Sequence, residues 1–78
     1  MIEIRLPQWG MGMQEGTIVR WLKREGDSVE KGDNIVEVES AKVNEMVHAP
    51  ADGRIVRLVA AEGETVPVQA VLAEFEPA

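Results

Sequence analysis

A segment of this chain occurs twice. Residues 16–39, moved forward by 37 positions, align with residues 53–76 without a gap, and nine of the 24 pairs are identical. The identities are Gly16/Gly53, Ile18/Ile55, Val19/Val56, Arg20/Arg57, Glu25/Glu62, Gly26/Gly63, Val29/Val66, Glu37/Glu74 and Glu39/Glu76. A constant offset marks a duplicated supersecondary unit. Two copies are too few for a solenoid, which leaves a β domain with an internal pseudo-two-fold axis. Ser40-Ala41-Lys42-Val43 falls at the seam between the copies.

Strand signals dominate both copies: short β-branched runs bounded by glycine, proline and acidic turn residues. Strands are predicted over Ile2–Leu6, Thr17–Leu22, Ile35–Ser40, Val43–His48, Arg54–Val59 and Val71–Glu76, with short ones at Val29 and Val66. Strict alternation places Val19 with Trp21 on one face of the second strand, opposite Ile18, Arg20 and Leu22. It likewise places Val36 with Val38 against Glu37 with Glu39, and Val71, Ala73 and Phe75 against Leu72, Glu74 and Glu76. Glu25-Gly26-Asp27, Glu62-Gly63-Glu64 and Glu30-Lys31-Gly32-Asp33 read as glycine turns. No capped run has a helical apolar period, so almost no helix is expected. The fold class is all-β, a small sandwich or barrel. With 78 residues and no cysteine, closing the sheet replaces a disulfide as the stabilising device.

A net charge of −6 opposes binding to a phosphate backbone, so no nucleic-acid partner is expected. No apolar run reaches membrane-spanning length and no secretory leader precedes the first strand, which fits a cytoplasmic or mitochondrial-matrix setting and no membrane partner. A single histidine, His48, and no thiolate leave no metal site; His48 is expected to be half-buried and structural.

The copies differ ahead of their first shared glycine. The first has the long loop from Pro7 to Glu15, with Trp9, Met11 and Met13; the second has only Ala49-Pro50-Ala51-Asp52. Trp9 has two readings, a contact for a partner or a plug over one end of the core. Met11 and Met13 read as packing residues. At the seam, two strands separated by Ala41 and Lys42 describe a tight hairpin with the lysine at its tip. Glu37, Glu39 and Glu45 flank that tip. They are read either as an acidic rim for basic partners or as a face that keeps the domain soluble.

Leu6-Pro7, Trp9-Gly10 and the run Met13–Asp33, with Glu37-Val38-Glu39-Ser40-Ala41-Lys42-Val43 and Ala49-Pro50-Ala51-Asp52-Gly53, resemble the biotinyl/lipoyl attachment superfamily. They are most similar to the lipoyl domain of the acyltransferase (E2) component of 2-oxo acid dehydrogenase complexes. The resemblance covers essentially the whole chain. It implies a flattened barrel of two four-stranded antiparallel sheets. It also implies a single carrier domain over 1–78, with halves 1–39 and 43–76 joined by the hairpin at 40–43. Lys42 maps onto the lysine that takes lipoate covalently, and Glu39, Ala41, Val43 and Trp9 are the expected recognition residues. Lipoyl hairpins most often read Asp-Lys-Ala, so Ala41 departs from the family at the position before the lysine.

The resemblance implies a non-catalytic swinging-arm carrier. Its partners would be a lipoate ligase or lipoyl transferase, a thiamine-diphosphate E1, the E2 catalytic core and a flavin-dependent E3, in a 2-oxo acid or acetoin dehydrogenase complex. A biotinyl carrier of a biotin-dependent carboxylase or decarboxylase is the alternative, and the absence of methionines beside Lys42 argues against it. A plain β interaction module with a solvated turn lysine is the third reading. The closing Phe75-Glu76-Pro77-Ala78 resembles the start of a flexible linker, as expected of a domain excised from a longer chain.

Overall fold

The computed structural model describes residues 2–41 and 43–78. Eight strands follow one another: β1 (Ile2–Arg5), β2 (Glu15–Trp21), β3 (Ser28–Val29), β4 (Asn34–Glu39), β5 (Asn44–His48), β6 (Gly53–Leu58), β7 (Thr65–Pro67) and β8 (Val71–Pro77). All pairings are antiparallel, and no helix occurs among the described residues. One sheet has the order β1-β8-β6-β3 and the other β5-β4-β2-β7. Exchanging β1–β4 for β5–β8 turns one order into the other, so the duplication is a two-fold relation between the sheets. Each sheet takes two strands from each half.

The halves are also crossed at their turns. Gly26 N–H donates to Ile55 O and Ile55 N–H to Asp27 O, at 2.7 and 2.9 Å. The repeat-related bonds run the other way: Gly63 N–H to Ile18 O and Ile18 N–H to Glu64 O, at 2.7 and 2.8 Å. Both glycines adopt left-handed backbone, at φ 90° and 86°, which suits residues without a Cβ. The identical pair Glu25/Glu62 serves the same junctions. Glu62 accepts from Trp21 N–H, and Glu25 accepts from Leu58 N–H, each at 2.9 Å.

The strict alternation expected for the long strands fails at repeated bulges. In β2, Ile18 pairs with Val38 and Arg20 with Glu37, so Val19 is the extra residue. Ile18 and Trp21 therefore share the inner face, and Val19, 41% exposed, does not accompany Trp21. β6 repeats this, with Ile55 opposite Phe75, Arg57 opposite Glu74 and Val56 unpaired. A second kind of bulge lies in β4 and β8, where the register slips at Ile35 and at Leu72. Leu72 and Ala73 are consequently both buried, and Leu72 does not join Glu74 on the outer face. Inner-face residues Leu6, Ile18, Ile35, Val38, Ile55 and Phe75 are fully buried and fill the space between the sheets.

At the chain's end, Pro77 belongs to β8 opposite Gly53, and Ala78 N–H donates to Asp52 O at 2.8 Å. The expected linker start is thus strand. His48 is exposed rather than half-buried, because it closes edge strand β5 on the face away from Val47.

Two expectations follow. A Cβ on Gly53 would strike Glu76 O and lie 2.6 Å from the Phe75 ring, whereas one on Gly10 would meet nothing within 4 Å. Gly53→Ala should cost about 2–3 kcal/mol and Gly10→Ala close to zero in urea titrations, reflecting overpacking at the first site only. Removing either junction carboxylate, Glu25→Ala or Glu62→Ala, should cost about 1–2 kcal/mol by the same assay, with the two losses similar.

Candidate functional site

The hairpin of β4 and β5 stays paired to its end. Glu37 faces Met46, Val38 faces Glu45 and Glu39 faces Asn44. Beyond that last pair, Ser40 N–H donates to Val43 O at 2.8 Å, and its hydroxyl donates to the same oxygen at 3.1 Å. Ala41 and Val43 are exposed. Lys42, which the chain places between them, lies outside the described residues, and so does the turn type expected for Ala41-Lys42.

A brace holds this hairpin to the barrel. One Glu37 oxygen accepts from Arg20 Nε on β2 at 3.1 Å, and the other from Asn44 Nδ2 on β5 at 3.3 Å. A single carboxylate on the middle strand thus ties three strands together just below the tip. Glu37 is therefore committed to the frame and is not free for a partner. Glu39 and Glu45 are exposed, but the register sets them on opposite faces, since Glu45 pairs with the inward Val38. The three glutamates do not form one rim.

The long loop lies against the same tip. Its ends are anchored by Gln69 N–H to Leu6 O and Val68 N–H to Gln14 O, each at 2.9 Å. Between these anchors Trp9 and Met13 are half-buried and pack on the core, as the plug reading of Trp9 expects, and Trp9 also lines the groove beside the tip. Met11 departs from the expected packing role. The turn that carries Met13 N–H to Gly10 O, with Gly12 at φ 84°, leaves Met11 97% exposed. The alternation of glycine and methionine in Gly10-Met11-Gly12-Met13 was the available signal: flanking glycines give Met11 nothing to pack against. Loop and tip enclose a groove of about 730 Å³, lined on one side by Trp9, Met11 and Met13 and on the other by Glu39, Ser40, Ala41 and Val43.

The match to known proteins joins this hairpin to a family. Residues 2–75 match the biotin/lipoyl family, described as biotin-requiring enzymes. This chain belongs to that family. It also superposes on the solution structure of the lipoyl domain of the 2-oxoglutarate dehydrogenase complex from Azotobacter vinelandii, with a TM-score of 0.80 and 34% identity, covering all of both chains. The likeness that spans both chains is thus to a lipoyl domain. A second structure, a single-chain, multi-domain long-chain acyl-CoA carboxylase, gives a TM-score of 0.78 at 25% identity over 91% of this chain and 8% of that one.

Among curated relatives, the acetyltransferase component of the acetoin cleaving system of Pseudomonas putida is 46% identical over 90% of this chain and 19% of its own length. The succinyltransferase component of the 2-oxoglutarate dehydrogenase complex of Staphylococcus saprophyticus is 45% identical over 94% of this chain and 17% of its own. The chain therefore spans only about a tenth to a fifth of the length of the curated relatives it matches. It corresponds to the lipoyl domain, a carrier unit within such acyltransferase chains. Among the described residues no helix is long and apolar enough to cross a membrane.

Packing and exposure separate the two loop residues by experiment. Trp9→Ala should lower stability by about 2–3 kcal/mol, as loss of a half-buried aromatic does, while Met11→Ala should change it by less than about 0.5 kcal/mol in the same denaturation series.

Proposed function

We propose that this chain carries lipoate in amide linkage on Lys42 and presents it in turn to the enzymes of a dehydrogenase complex. The observation that carries this reading is the braced hairpin, paired through Glu39 and Asn44 and closed by Ser40 and Val43, with Lys42 between Ala41 and Val43 in the chain. A lysine has a pKa of roughly 10.4 and is protonated near neutrality, so it needs an external ligase with an activated carboxylate. The linkage removes the charge. Small uncharged neighbours, Ala41 and Val43, and the largely apolar groove beside them suit an uncharged arm better than an anionic one.

The attached group supplies a redox-active disulfide that accepts and releases acyl groups. The chain itself has no cysteine, so its own part is presentation. Glu37 fixes the hairpin to β2 through Arg20, which gives each visiting enzyme the same tip geometry. Tethering raises the effective concentration of the arm at each active site to about the millimolar range. Exposed Glu39, with Ala41 and Val43, offers the surface a ligase and an E1 would read, and half-buried Trp9 adds to it from the facing wall of the groove. The partners follow as a lipoate ligase or lipoyl transferase, a thiamine-diphosphate E1, the E2 catalytic core and a flavin-dependent E3.

The unit is taken as one carrier domain, residues 1–78, with halves 1–39 and 43–76 about the hairpin at 40–43. The acetoin-cleaving and 2-oxoglutarate relatives support a parent chain of the acyltransferase class, and their bacterial sources support a cytoplasmic complex. A biotinyl carrier remains the second reading, because the acyl-CoA carboxylase structure shares the fold over most of this chain.

Intact mass decides between them. Protein incubated with lipoate, ATP and a lipoate ligase should gain one lipoyl group, and Lys42→Ala should gain none. A biotin adduct formed by a biotin ligase, with no lipoyl adduct, would select the second reading. No adduct from either would overturn both.

A further inference from the structure

The duplication shows what the fold requires of its connections. Four residues, 49–52, join β5 to β6, while nine, 6–14, join β1 to β2 in the related half. The extra length is not needed to close the barrel. Trp9 and Met13 account for part of it by packing on the core, but Gly10-Met11-Gly12 packs on nothing. Its methionine stands 97% exposed beside a hairpin tip whose Val43 is 45% exposed. The groove between them has both chain neighbours of Lys42 in one wall.

We propose that this groove is a resting berth for the arm attached at Lys42, an uncharged alkyl chain ending in a sulfur-containing ring. The inference rests on the attachment proposed above. The lining fits such a group: the thioethers of Met11 and Met13 are polarisable and adaptable, and sulfur packs favourably against an aromatic edge such as that of Trp9. Glu15 and Glu39 at the margin repel anions, so a free carboxylate or a phosphate-bearing ligand is disfavoured. Docking also need not hinder delivery. With the arm tethered at about millimolar effective concentration, a berth of about millimolar intrinsic affinity is filled roughly half the time and empties freely. The reactive end is then partly sheltered between visits without being withheld from a partner enzyme.

The test compares unmodified and lipoylated protein, each verified by mass, by NMR of methionine methyls and tryptophan indoles. Lipoylation should move the signals of Met11, Met13 and Trp9, with contacts from arm to Met11 methyl, and leave Trp21, which lies outside the groove, unmoved. Reduction of the attached group by a water-soluble phosphine should become about twofold faster in Met11→Ala, as a half-filled berth requires. Shifts confined to residues 40–44, or equal reduction rates in the two proteins, would overturn the berth. Free lipoamide titrated into unmodified protein examines the groove without the linkage. Movement of the same three signals in the millimolar range supports the berth even if no ligase modifies Lys42, and absence of movement overturns it.

Discussion

Four backbone hydrogen bonds, exchanged between the halves at Ile18 and Ile55, are the constraint on which the rest of this structure depends. Each half offers the turn after its long strand, Gly26-Asp27 or Gly63-Glu64, to the corresponding strand of the other half. Neither half can complete a sheet alone. A chain this small has a limited core and no covalent staple, so crossing the halves makes burial of either one conditional on the other. The junction carboxylates Glu25 and Glu62 complete the arrangement, each accepting a backbone N–H from the other half, of Leu58 and Trp21 respectively.

That frame explains how the hairpin can be stiff at its end. β4 and β8 hold the same place in their sheets, between a strand of their own half and one of the other. β4 is therefore fixed on one side by β2 before β5 is added on the other. Glu37 extends the fixation past the backbone ladder by joining Arg20 and Asn44. Its repeat mate Glu74 lies 3.7 Å from Arg57, and among the described residues no second side chain hydrogen-bonds to it as Asn44 does to Glu37. The additional bond falls beside the last described pair of the hairpin, Glu39 with Asn44. A hairpin end with a fixed base has less conformational freedom to lose on any contact it makes.

The repeat, the glycine turns, the all-β class and the hairpin were legible because they rest on local chemistry: fixed spacing, left-handed glycine and β-branched runs. Facial assignments held between bulges, as for Val36 and Val38 against Glu37 and Glu39, and failed at Val19 and Leu72, since a period of two assumes an unbroken ladder. The repeated pattern Ile18-Val19-Arg20-Trp21 and Ile55-Val56-Arg57-Leu58 carried a warning. Two adjacent apolar residues followed by polar and then apolar cannot all obey alternation, and a bulge resolves the conflict in both copies. Glu37 was readable as outward-facing but not as a brace, because Arg20 is brought opposite it only by the bulge. The place of His48 at a strand end and of Met11 in the long loop does not reveal their exposure: an edge strand exposes one, and flanking glycines release the other.

Where the two-fold relation breaks is as informative as where it holds. The symmetry mate of the β4–β5 turn is the place where β8 and β1 pair without any turn, as last strand and first. The short connection 49–52 lies beside that mate, since Asp52 O accepts from Ala78 N–H. The long connection 6–14 lies beside the turn with the lysine. One end of the axis therefore receives the chain's termini and keeps the minimum loop. The other receives an uninterrupted hairpin, an extra carboxylate bridge and a loop with an exposed thioether. The departures gathered at that end differ in what they do for the fold: Trp9, Met13 and the Glu37 bridge support it, whereas exposed Met11 adds nothing to its packing. The connection through residues 40–43, which β8 and β1 lack, accounts for the hairpin, but packing does not account for the exposed Met11 beside it.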